Sequence, residues 1–165
     1  MIALKILKQK NFMSKLLTTE LFDNFTVEEA TIDTFNTFTI DGRIHKEFFL
    51  GSDDMEEIPG TEFSEWARIR PIALSLIKGR HTPLGFKFIL HFGESEKLSL
   101  LRDLDMDISP DQISLGIGIR YSQGEVVVTT GVSYSIFTLD KSAEKAWDEY
   151  IPSFLESNGI EADLL

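Results

Sequence analysis

The residues best suited to chemistry by type and spacing lie in one acid-free window. From Trp66 to Gly93 there are 28 residues with no Asp or Glu and five cations: Arg68, Arg70, Lys78, Arg80 and Lys87. The whole chain has 165 residues, with 16 Lys plus Arg against 27 Asp plus Glu and a net charge of −11, so the window stands out. At its centre, Lys78-Gly79-Arg80-His81-Thr82-Pro83 adds an imidazole and a hydroxyl to two permanent cations. Arginine offers a planar fork of donors, and amides beside glycine are approachable, so such a loop suits a phosphate or carboxylate. Arg68, Arg70, Lys78, Arg80 and His81 are therefore the candidate anion-binding residues. The competing reading is internal pairing of these cations with surface acids, including Asp53, Asp54, Glu56 and Glu57, while the long arginine stems lie on apolar surface. The overall negative charge argues against nucleic acid or an anionic membrane as partner. Phe86 and Phe88 share a strand face and suit a core better than a base-stacking platform.

A second candidate is a hydroxyl-rich ribbon, Thr34 to Asp41, in which Asn36, Thr39 and Asp41 are the polar groups of interest. It suits either the lining of a small-ligand cleft or the solvent face of an edge strand. Other patterns fail on inspection. Asp103, Asp105 and Asp107 open like a calcium loop, but Ile108 stands where glycine is needed and Ser114 where a bidentate Glu is needed. His45, His81 and His91 are dispersed, and none has a second ligand two to four residues on, so no metal site is expected. There is no G-x-S-x-G, H-E-x-x-H or P-loop lysine motif, and no cofactor is implied. Gly116-Ile117-Gly118 falls inside a strand, where its glycines suit close helix packing or sheet curvature. Ser133 and Ser135 have no placed base.

The elements that must position these groups follow from periodicity. Alternation predicts strands over 2–7, 85–92 and 113–121, the last being the clearest, with Ile113, Leu115, Ile117, Ile119 and Tyr121 on one face. His91 then falls on the face opposite Phe88, Leu90 and Phe92. Ser122-Gln123-Gly124 is a turn into a returning strand over 125–130, continued over 135–139 after a break at Gly131. Residues 25–40 suit two strands with a bend near Phe35-Asn36, and Asp41-Gly42 is a turn dipeptide returning through 43–49. Helical spacing marks 10–19, 66–77, 95–104 and 141–157. Pro71 should kink or split the second helix, and Pro152 should bend the last. Residues 51–60 form an acidic, solvated loop. Tight turns join antiparallel neighbours, so the fold class is α+β, a single domain with a mainly antiparallel sheet of about five to seven strands and three to four helices.

The absence of cysteine excludes disulfides and thiolate chemistry. Lys5 and Lys8 interrupt the apolar start, and no stretch nears the ~20 apolar residues of a membrane span, so a cytoplasmic protein with no membrane association is expected. Three stretches, EATIDTFNTFTIDGR (Glu29 to Arg43), LIKGRHTPLGFKF (Leu76 to Phe88) and TLDKSAEKAWDEY (Thr138 to Tyr150), resemble a domain-of-unknown-function family. Its members are small uncharacterised proteins from anaerobic Gram-positive bacteria. The resemblance runs through nearly the whole chain and implies a bacterial, single-domain protein, but it carries over no catalytic residue, cofactor or partner. The expected function is a non-catalytic binding or interaction module for an anionic group or a protein partner. The alternative is a small enzyme, such as a metal-dependent hydrolase, acting on a polar metabolite. A purely structural or oligomeric role is the third reading.

Overall fold

A computed structural model describes residues 1–51 and 59–165. The acids Asp53, Asp54, Glu56 and Glu57 lie outside the described residues. Four α-helices and eight strands are described: β1 (Ala3–Ile6), α1 (Gln9–Thr18), β2 (Phe25–Asp33), β3 (Thr37–Asp41), β4 (Ser64–Glu65), α2 (Trp66–Ile77), β5 (Gly85–Phe92), α3 (Glu94–Asp103), β6 (Ile113–Ser122), β7 (Glu125–Tyr134), α4 (Ser142–Ser157) and β8 (Ala162–Leu164). The strands form one sheet in the order β3-β2-β5-β6-β7-β1-β8, with β4 also on β2. Every pairing is antiparallel. The α+β class with a mainly antiparallel sheet holds, with one strand more than expected.

Alternation decides which face of the sheet is covered. Phe86, Phe88, Leu90 and Phe92 of β5, the odd residues of β6 from Ile113 to Ile119, and Val126 and Val128 of β7 are all buried. They meet Phe12, Leu16 and Leu17 of α1, Trp66 and Ala73 of α2, and Ala143, Trp147, Ile151 and Leu155 of α4 in one core cluster. Each tryptophan buries its rings and donates its indole N–H to a carbonyl: Trp66 to Leu16 at 3.0 Å and Trp147 to Gly116 at 2.8 Å. The alternate residues of the same strands, such as His91, Ser114 and Arg120, fall on the opposite face.

Four expectations change. The β2–β3 hairpin turns at Thr34–Asn36, and residues 43–49 form no strand; Arg43 makes one bridge to Phe63, and Lys46–Phe49 is a 3-10 turn. Gly42 is used for close approach rather than for a hairpin turn, because a Cβ there would lie 1.7 Å from the Val27 carbonyl oxygen. There is no strand over 135–139, because β7 runs unbroken through Gly131 and pairs with β6 from Ser122↔Glu125 to Ile113↔Tyr134. Their connection is Gln123-Gly124, with φ of 51° and 80°, the left-handed pair that a two-residue hairpin turn requires. Finally, of the kink or split expected at Pro71 the split does not occur: α2 runs through Pro71 as one helix, as α4 does through Pro152. Among the described residues, no helix is long and apolar enough to cross a membrane.

Candidate functional site

The helix-free face of the sheet carries two groups of polar side chains. Strand register builds the first. Reading across the sheet, Thr39 pairs Thr31, Thr31 pairs Lys87, Lys87 pairs Arg120, Arg120 pairs Val127 and Val127 pairs Lys5. One rung thus bears three cations. Lys5 is held by Glu125 at 2.5 Å, and Lys87 lies 3.8 Å from Glu29. Arg120 is exposed and has no carboxylate partner among the described residues. Like charges directly opposite on neighbouring strands are unfavourable by a few tenths to about 1 kcal/mol. The Lys87–Arg120 pair therefore opposes this strand pairing, and Glu29 beside Lys87 offsets part of the repulsion.

An open trough of about 1360 Å³ lies over this end of the face, lined by the acids Asp33 and Glu125 as well as by Thr31, Asn36, Thr37, Lys87 and Arg120. Phe35 and Leu84, 87% and 77% exposed, stand at the same trough. The Leu84 N–H donates to the Asp33 carbonyl at 2.8 Å, so the loop before β5 enters the sheet at this end.

The second group is Glu28, His91 and Ser114, on the neighbouring strands β2, β5 and β6. The pairing of β2 with β5 slips between Val27 and Glu29, so Glu28 is an inserted bulge residue. The bulge brings both Glu28 and Glu29 off the core face. Glu28 reaches His91, and Glu29 reaches Lys87. Gly42 secures this geometry by donating its N–H to the Glu28 carbonyl at 2.8 Å. The Glu28 Oε2 lies 2.5 Å from His91 Nε2, and His91 Nδ1 lies 2.7 Å from the Ser114 Oγ. An ionised carboxylate only accepts, so the Nε2 carries a hydrogen; in the neutral imidazole the Nδ1 then presents its lone pair and the serine hydroxyl donates to it. His91 stacks on Phe63 at 5.3 Å and 14°, and Arg43 lies over Phe63 at 5.7 Å. Opposite His91 stands Gly116, where a Cβ would come 3.4 Å from the Nδ1. Its missing side chain faces the imidazole on the open face, while the indole of Trp147 in α4 reaches its carbonyl.

The sequence-derived candidates are placed as follows. Arg70 forks onto Asp23 with bonds of 2.9 and 3.0 Å, and the Asp23 hydrogen bond raises its pKa despite desolvation. Arg68 is exposed in the first turn of α2, and Lys78, Arg80 and His81 are exposed in the loop after it. No ion pair involves these four among the described residues. Asn36 lies in the β2–β3 turn and Thr39 on the cation rung. Asp41 is exposed, and its Oδ1 accepts from the Arg43 N–H at 3.0 Å, which steadies the chain reversal. Among the described residues no three imidazole or carboxylate groups converge in a way that could hold a metal ion.

Sequence reasoning missed Arg120, Glu28 and Ser114. Arg120 became notable only through its partner across the strand. The bulge had a faint signal: buried residues change parity between Val27 and Ala30. Ser114 and His91 are 23 positions apart, and only the β5–β6 register brings them together.

Fold and site together define an α+β protein whose single antiparallel sheet is covered by helices on one face and carries polar groups on the other. A family model described as "Family of unknown function (DUF5721)" matches residues 15–163, and the chain belongs to that family. No curated protein and no solved structure matches the chain.

Proposed function

We propose that the protein is a binding module for a small anionic ligand bearing a phosphate or carboxylate, seated on the open sheet face at Lys87 and Arg120. The observation that carries this reading is the cross-strand placement of two cations, one of them without a carboxylate partner among the described residues. Arg120 supplies a fork of donors and Lys87 a point charge. Thr31, Thr37 and Asn36 add neutral hydrogen-bonding groups around the trough. Lys78 and Arg80 are exposed in the loop that runs on to Leu84, which lines the trough. A net charge of −11 and so few cations suit a ligand of one or two charges rather than a polymer.

The test is a thermal-shift screen against phosphate, phosphosugars and small dicarboxylates. A ligand at 100 times its dissociation constant stabilises by about 2.7 kcal/mol. Arg120→Gln should remove that shift, and Lys78→Ala with Arg80→Ala should weaken it. Equal ligand-induced shifts in all three proteins rule out this site.

A further inference from the structure

At the other end of the same face, about 14 Å along β5 from Lys87 at ~3.4 Å per residue, the Glu28–His91–Ser114 row has the arrangement that activates a serine. We infer that Ser114 is a nucleophile toward acyl esters, with His91 as its base and Glu28 as the positioning residue. This goes beyond the binding reading and does not rest on it.

Three features argue for chemistry rather than a passive hydrogen-bond ladder. The partners stand in the order a base needs: the carboxylate takes the Nε2 hydrogen, and in the neutral imidazole the Nδ1 accepts the Ser114 proton at 2.7 Å. The imidazole plane is held by Phe63 stacked at 5.3 Å and by Glu28, which the bulge delivers to its Nε2. The row also borders a cleft of about 970 Å³ that admits a substrate to both His91 and Ser114. Lys97, the one lysine or arginine among the described residues lining that cleft, is buried. Its ammonium donates to the Ile113 carbonyl at 2.9 Å, one residue before Ser114, and to Glu94 at 2.8 Å. These bonds tie the cleft wall to the start of β6, one residue before Ser114.

The step balances within these groups. The Ser114 hydroxyl proton passes to the His91 Nδ1 as the Oγ bonds to the ester carbonyl carbon. The ester C–O bond then breaks, and the departing alkoxide takes the proton from His91. Water repeats the sequence on the acyl-serine, releasing the acid and restoring Ser114. The cleft is lined by Glu62, Glu65 and Glu96 besides Glu94, so the ester it admits is neutral or amine-bearing rather than anionic.

The experiment uses the full chain and a fluorophosphonate, in which the P–F bond breaks, the Oγ–P bond forms, and fluoride leaves with the proton taken by His91. Peptide mass mapping should find the label on Ser114. Ser114→Ala should show no label while melting like the parent. His91→Phe, which keeps a ring against Phe63, should label about 10²-fold more slowly or less. Glu28→Gln keeps an acceptor for the Nε2 hydrogen but loses the charge; it should label more slowly at an unchanged melting temperature, with Glu28→Asp intermediate. A folded parent protein without label, a label on any other residue, or a Ser114→Ala protein labelled like the parent overturns the inference. A Glu28→Gln protein that labels at the parent rate overturns the role given to Glu28.

Discussion

Replacing Arg120 by Gln should stabilise the ligand-free protein. Lys87 and Arg120 are direct cross-strand partners on the open face, so their Cβ atoms stand ~4.5–5.5 Å apart. With the charged heads splayed to ~6 Å in water, Coulomb's law gives a repulsion of about 0.7 kcal/mol. Glu29, 3.8 Å from Lys87, offsets part of it, which leaves about 0.5 kcal/mol. In a chain of this size that is a rise in melting temperature of ~1–2 °C. The assay is calorimetric melting at two ionic strengths. The Debye length is ~30 Å at 0.01 M salt and ~3 Å at 1 M, so the gain should be present in the first and gone in the second. Lys87→Gln should give a smaller gain because Glu29 loses a partner, and the double variant should gain less than the sum of the two. An Arg120→Gln protein that melts lower than its parent at low salt, or a gain that survives high salt, would show that the two cations do not repel, and the argument for an anion site at this rung would go with it.

Three further outcomes follow from the geometry. Gly42→Ala places a Cβ 1.7 Å from a β2 carbonyl oxygen at the bulge, so it should cost about 1–3 kcal/mol or more in denaturant melts and should also slow any labelling of Ser114, since Glu28 loses its support. Trp147→Phe leaves the Gly116 carbonyl without its indole donor at 2.8 Å; urea unfolding should report a loss of about 1–3 kcal/mol, and no loss would mean that water replaces the bond. Burial, with help from the hydrogen bond to Glu144, pushes the Tyr134 phenol well above its usual range. A folded-state pKa that is raised contributes stability present below the unfolded value of about 10 and lost as pH rises through the folded value. Stability should therefore fall above about pH 10, and Tyr134→Phe should flatten that alkaline decline. The same hydroxyl helps hold Glu144 below the usual carboxylate range against the opposing effect of burial. The variant should accordingly also lose some of the stability that its parent keeps above the unfolded carboxylate pKa and sheds on acidification.

The elements were legible wherever periodicity was uninterrupted. The strand over Gly85–Phe92 was read to the residue, and β6 and the four helices came within a residue or two, because a buried stripe repeats at 2 or 3.6 positions whatever it packs against. The errors arose where the same residue types serve two geometries. Asp41-Gly42 has the composition of a hairpin turn, yet its glycine is needed for contact with β2. Gly131 looks like a strand break, but it faces Gly116 across an unbroken ladder. The strands β4 and β8 are two and three residues long, too short for any period to show.

The composition settled the charge, the lack of thiol chemistry and the α+β class, since each depends on residue counts and local spacing alone. What could act on a ligand was decided by register. Lys87 meets Arg120, and His91 meets Ser114 and Glu28, only because β2, β5 and β6 are adjacent and aligned as they are, with one inserted residue at Glu28. A strand's own residues state which face each side chain takes, but not which strand lies beside it. That is set by the fit of the whole core, where the buried faces of five strands and four helices must close together.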